Sequence, residues 1–435
     1  MRLPLAALPL LGAAALASPV RAATAIPPAA ARAYFAEADA LCRADGARLW
    51  GVSLCGPMMF VDPQSRQVVA NRADPGHALK AVDGVFVGRL PADQNVANTA
   101  VEWSGVRWTQ MLWPLPEEAW KRRTLIAHEL FHRIQGQLAL PRLQGGDNAQ
   151  LDTLDGRVAL QLEWRALARA LAAPDEPARR QAAADALLFR HERYRLYPAA
   201  AAQEQALEMN EGLAEYTGVM LGNGTPAERT RAALDDLSGH VGDSTFVRSF
   251  AYATGPAYGL LLDRYAPGWR RSLRAGRSFD AMLADALHVT LPAQPGPAVR
   301  ERAGHYGGAA LRAAETAREA RRQQAIAGYR RRLVDGPVLV LPFHHMHVQF
   351  DPRNLQPLGD DGTVYPTIRI SDDWGVLDAR NGALMKPDWS ALVVTPPPAT
   401  SGARLAGDGW TLSLKPGWKI VPGTRKGDLV LVPES

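Results

Sequence analysis

Residues 124–136 read TLIAHELFHRIQG. His128 and His132 stand four apart, and Glu129 follows the first of them. On a helix, positions i and i+4 share a face, so both imidazoles can reach one ion. Glu129 sits about 100° round the helix from His128 and can reach a water on that ion without binding the ion itself. The plain alternative is an amphipathic helix carrying two satisfied polar residues. The choice depends on whether the chain supplies a third ligand and an open fourth position.

A candidate third ligand lies downstream, in ALEMNEGLAEYTG at 206–218. Glu211 can complete a His-His-Glu set, and Glu215, one turn later, can accept the second ring proton of a ligand histidine. The competing reading is that Glu204, Glu208, Glu211 and Glu215 fall on one helical face as a solvated acidic stripe. A third piece follows in SFAYATGPAYGLLLDRY at 249–265. Tyr252, three residues before Gly255, can donate its phenol to an oxyanion, or it can be an ordinary core tyrosine.

Together these motifs resemble the gluzincin metallopeptidases, the group that includes thermolysin and aminopeptidase N. The match covers about 100–265 and rests on HELFH, NEGLAEY and YATG. The resemblance implies one Zn2+ per chain held by His128, His132 and Glu211. It implies Glu129 as general base, Tyr252 as oxyanion partner and Glu215 behind a ligand histidine. Two departures stand out. His132 and Glu211 are 79 positions apart, which implies an inserted helical hairpin that can wall one side of the cleft. The Gly-x-Met-Glu-Asn stretch that grips a free amine is absent, with Glu102 in AVEWSG at 100–105 only a faint echo. The expected activity is therefore peptide-bond hydrolysis without a commitment to aminopeptidase action, on a peptide or protein substrate. The alternatives are a zinc hydrolase of a non-peptide bond and an inactive envelope binding protein with a relict zinc helix.

The 435 residues are 47% apolar with a net charge of +5, enough to bury real cores. No dense Lys/Arg run points to nucleic acid. Residues 1–22 read as an export signal: Arg2, an apolar run too short to span a bilayer, and a small-x-small ending at Ala22. No later stretch reads as a membrane span, so the product is expected in the periplasm or secreted. In that oxidising setting Cys42 and Cys55 are expected to pair, tying a helix at 31–43 to a strand at 50–54.

The expected fold is α+β, with a mixed β region at 23–116, a mainly helical zincin-like catalytic domain at 117–334 and an all-β module at 335–435. Helices are expected at 117–138, 148–173, 176–196, 201–222, 226–237, 246–265, 278–288 and 298–333. VDGVFVGRL and VEWSGVRWTQMLWPL each read as a strand, the second offering an edge at 106–112 to an extended peptide. His344, His345 and His347 read as part of a sheet's polar face rather than as a metal site.

Overall fold

The computed structural model describes residues 25–91, 94–350 and 355–434. The expected export signal lies outside them. The fold is α+β, about 49% helix and 19% strand, with the strands at both ends of the chain and the helices between. Among the described residues no helix is long and apolar enough to cross a membrane.

Helix α1 (Pro28–Asp45) opens on a proline in its first turn and closes at Gly46, whose φ of 55° gives the left-handed cap. Its inner face buries Ala31, Phe35, Ala38 and Cys42. Cys42 and Cys55 form a disulfide, as expected. The segment it ties down, 50–54, is turn and irregular chain rather than the expected strand. Six strands follow: β1 (Met58–Val61), β2 (Gln67–Ala70), β3 (Lys80–Val82), β4 (Val85–Arg89), β5 (Thr99–Trp103) and β6 (Val106–Leu112). The two stretches read as single strands are each a hairpin. Asp83-Gly84 and Ser104-Gly105 take positive φ at both turn positions, the geometry that two-residue hairpins favour.

The sheet order is β3-β4-β2-β1-β6-β5. Strand β6 is therefore interior, parallel to β1 on one side and antiparallel to β5 on the other. The free edge expected at 106–112 belongs instead to β5. One sheet face contributes Phe60, Val69 and Met111 to the main core, which it shares with the helices. The other face packs Met59, Val61, Val68, Trp103 and Trp108 among themselves.

The helical body comprises α2 (Ala119–Ile134), α3 (Leu154–Ala172), α4 (Glu176–Leu196), α5 (Ala200–Leu207), α6 (Leu213–Gly222), α7 (Pro226–Gly239), α8 (Ser249–Tyr265), α9 (Phe279–Leu287), α10 (Gly296–Ala303) and α11 (Gly308–Arg330). Thr225 and Glu228 form a capping box at the start of α7. The helix expected over 298–333 is broken: a 3-10 turn at Gly304–Tyr306 and Gly307 at φ 67° separate α10 from α11. A π-helical turn at Glu208–Gly212 joins α5 to α6 without a break. Such insertions are rare and concentrate at functional sites.

The acidic stripe is buried, so the solvated-face reading fails. Glu204 is 0% and Glu208 1% exposed, against Arg193 at 0% and Arg190 at 1%. Arg193 lies 2.6 Å from Glu204 and 2.7 Å from Glu163 of α3. Arg190 lies 2.6 Å from Glu208 and 2.7 Å from Glu163, with its guanidinium 4.4 Å from the Tyr258 ring centre. Tyr258 and Thr254 of α8 donate to Glu163 and Glu208 at 2.8 and 2.7 Å. Burial opposes the charge on both arginines, but the facing carboxylates outweigh it and keep them protonated. The network locks α3, α4, α5 and α8 together one turn before Glu211.

Beyond α11, a seven-stranded and a five-stranded sheet enclose a separate core that includes Leu341, Ile370, Trp374, Leu377, Leu392 and Leu412. A smaller cluster with Leu333, Val338, Val364 and Leu384 joins it to the end of α11. His344, His345 and His347 are exposed at the rim of this module. His345 pairs with Asp373 at 2.8 Å, and His344 lies edge-on to Trp418. Among the described residues the three rings do not gather with a carboxylate at metal-binding distance.

Replacing Arg193 by Leu removes the arginine that faces Glu204 and one of the two that face Glu163, leaving excess negative charge in the core. It is expected to lower unfolding stability by about 3–5 kcal/mol in urea titration. A loss below about 1 kcal/mol would mean that the network does not hold these helices.

Candidate metal centre

Two close helix crossings assemble the site. Gly218 and Gly222 of α6 lie on one face, four residues apart. A Cβ on either would approach the Thr124 backbone to 2.8 or 2.7 Å. Only glycine allows that contact, and it places α6 one turn from His128 on α2. The second crossing sets Gly255 of α8 on Gly212. A Cβ at Gly255 would come within 2.2 Å of the Gly212 carbonyl oxygen. That brings Tyr252, one turn before Gly255, against Glu211. The glycines in NEG and YATG thus have a mechanical role.

His128, His132 and Glu211 converge. The His128 and His132 Nε2 atoms are 3.1 Å apart, and Glu211 Oε2 lies 3.6 Å from the first and 3.4 Å from the second. Ligand atoms about 2.0–2.1 Å from a tetrahedral ion stand about 3.3 Å from one another. The three separations match that figure, so this trio can hold a metal ion. All three residues line a cleft of about 440 Å³, which leaves access for a further ligand.

Supporting contacts orient each donor. His128 Nδ1 meets Glu215 Oε2 at 2.7 Å, the contact the sequence suggested. His132 Nδ1 faces Gln135 Oε1 at 3.3 Å, and the Gln135 amide donates to the Met209 carbonyl at 3.1 Å. Arg248 donates to Glu211 Oε1 at 3.0 Å, leaving Oε2 toward the imidazoles. The sequence reading missed both residues. Gln135 had a legible signal, its i+3 spacing from His132. Arg248 had none, since it stands just before α8 and meets Glu211 only through the fold.

Tyr252 lies in the site, its hydroxyl donating to Glu211 Oε2 at 2.7 Å and its ring stacked 5.6 Å from that of His128. Glu129 is 3% exposed and lines the cleft. Its Oε1 is 4.0 Å from His128 Nε2, and its Oε2 is buried with no protein partner. A carboxylate oxygen with nothing to accept from, beside three convergent donors, fits a base that works on a metal's water. Glu102 does not line the cleft; it pairs at 3.0 Å with Arg107, which does. The α3–α4 hairpin also contributes nothing to the cleft wall. Its part is to anchor the helix that carries Glu211.

Burial raises the Glu129 carboxyl, and the His128 and His132 rings only partly oppose it. Burial would also raise Glu211, but contact with His128, His132 and Tyr252 outweighs it and keeps that carboxyl well below its usual range. The Tyr252 phenol is pushed well up by burial and by Glu211, so it stays a donor. Burial alone would lower His128; Glu211, Glu215 and Glu129 overcome it and push its pKa up to about 10.

No protein-family profile matches this chain, and neither a curated protein nor a solved structure matches it. The geometry therefore carries the functional reading.

Two outcomes are expected. Gly255→Ala separates α8 from Gly212, so bound metal measured by atomic absorption should fall severalfold while the far-UV spectrum is kept. Unchanged metal content would refute the role of that crossing. Second, the raised His128 pKa stabilises the metal-free chain fully below about 6.5, and that contribution is lost as pH rises through about 10. A metal must displace that proton, so the rise in Tm on adding Zn2+ should be larger at pH 8 than at pH 6. Equal shifts at both pH values would mean that His128 is not a ligand.

Proposed function

We propose that the chain is an exported zinc-dependent metallopeptidase of gluzincin type. The observation that carries this reading is the trio His128, His132 and Glu211 at tetrahedral spacing, beside the unpartnered carboxylate oxygen of Glu129 in an open cleft. Zinc suits two imidazoles and one carboxylate. The disulfide agrees with an oxidising compartment.

Bound zinc supplies Lewis acidity, lowering the pKa of a water toward neutrality and polarising a carbonyl. The chain's own groups do the rest. Glu129 takes the proton of the attacking water and delivers it to the departing nitrogen, a task suited to a carboxyl whose pKa burial has raised. Tyr252, protonated throughout, donates to the carbonyl oxygen as negative charge grows there. Glu215 and Gln135 fix the ring orientation of His128 and His132. Arg248 holds Glu211 in place from its far oxygen. Thr99 and Ala100 at the start of edge strand β5 line the cleft. An extended peptide can add to that edge through main-chain hydrogen bonds, with its scissile bond over the ligand trio.

The test is a mixed-peptide digest read by mass spectrometry, with and without chelator. Cleavage that stops with chelator and returns with Zn2+ is expected. Glu129→Gln should keep its zinc and lose about 10²–10⁴-fold in kcat; full activity in that variant would overturn the base assignment. Tyr252→Phe should also keep its zinc, with kcat down about 10²–10³-fold and KM little changed. If no peptide in the mixture is cut by the zinc-loaded chain, the peptidase reading fails.

A further inference from the structure

A second pocket, of about 340 Å³, is lined by Arg48, Arg270, Arg271 and Arg274 together with Trp50 and Leu138. It shares no residue with the metal cleft. No carboxylate is among its lining residues. Arg270, Arg271 and Arg274 come from one 3-10 turn at Trp269–Ala275, where positions three apart eclipse and bring Arg271 over Arg274. Arg48 comes from the turn after α1, more than 200 positions earlier in the chain.

The charges here are poorly balanced. Among the described residues, Arg48, Arg271 and Arg274 make no ion pair, and all three are exposed. Arg48 spends its Nε on the Asp45 carbonyl and its Nη2 on that of Ala44, neither of which cancels its charge. Arg270 alone meets a carboxylate, Asp263 at 2.7 Å, and its other contact is Tyr216 at 2.5 Å. Both contacts use Nη1, so among the described residues its Nε and Nη2 have no hydrogen-bond partner, though the guanidinium lies over the Trp269 ring at 5.4 Å. The floor is apolar and firm. Trp50 is 8% and Leu138 3% exposed, and Trp50 is pinned by its bond to Thr217 at 2.9 Å. An adjoining recess of about 410 Å³ shares Arg48 and Arg270, adds Arg229 and contains Asp45, a residue 5% exposed.

Four guanidinium groups around one concavity repel one another, and a low-dielectric wall concentrates the positive field inside it. A multivalent oxyanion relieves that repulsion. Guanidinium forks match phosphate oxygens two at a time. We propose that this pocket binds a phosphate-type multivalent anion, either a free phosphoester or diphosphate or the headgroup of an anionic phospholipid. The site is independent of the metal centre.

The test is calorimetric titration of inorganic pyrophosphate into the full chain, repeated on His128→Ala so that metal chelation is not read as binding. A parallel arm floats the protein with phosphatidylglycerol/phosphatidylcholine vesicles and with phosphatidylcholine alone. Expected is pyrophosphate binding that survives in His128→Ala and weakens at least about tenfold in Arg271→Glu/Arg274→Glu. The milder Arg271→Gln/Arg274→Gln serves if the charge reversal does not fold; unchanged zinc content and Tm identify the usable variant. Flotation with the anionic vesicles alone, abolished in the same variant, assigns the anion to a lipid headgroup. Binding of neither probe, or equal binding by wild type and variant, overturns the proposal.

Discussion

Two arginines in the protein interior decide where Glu211 lies. Arg190 and Arg193 on α4 face Glu163, Glu204 and Glu208, and all five residues are almost completely buried. Charges taken out of water at this depth tolerate little misplacement, because an unpaired member costs several kcal/mol, on the order of 3–5. Their geometry therefore fixes the helix that carries Glu204 and Glu208. The π-helical turn that follows sets the direction of Glu211. The acidic residues of this helix look alike in the sequence and do different work: two anchor, one faces the imidazoles, and Glu215 supports His128.

The parts of the site that were legible in the sequence are those defined by local spacing. His128, Glu129 and His132 share one helix, so their relation follows from helical geometry alone. Glu211 and Tyr252 were legible through the motifs NEGLAEY and YATG that carry them; that the glycines of those motifs sit at helix crossings is visible only in the fold. The burial of Glu204 and Glu208 was not legible, since their partners are on a different helix and only the folded chain joins them. The same holds for Arg248. The sheet errors have another origin. Asp83-Gly84 and Ser104-Gly105 are hairpin signals, and reading through them merged two strands into one and moved the edge from β5 to β6. The break at Gly304–Gly307 was hidden by helix-favouring residues on both sides of it.

The 79 positions between His132 and Glu211 have an explanation in this geometry. Helices α3 and α4 stay clear of the cleft and supply Glu163, Arg190 and Arg193. The long insertion buttresses the helix before Glu211 from behind and leaves the cleft to strands β5 and β6, helices α2, α6 and α8, and the turn that bears Glu211. The C-terminal sheets keep their own core and contribute no residue to the cleft.

The contacts that order the ligand trio are all between protein groups: glycine-mediated helix crossings, the arginine–glutamate lattice, and the Tyr252, Arg248 and Glu215 bonds. Small zinc-binding domains differ, since they fold only when the ion arrives. Here contacts between protein groups position the three side chains that could hold a metal ion. A substitution at one of these helix crossings, a turn or more away from the three side chains, would therefore be felt at the trio itself.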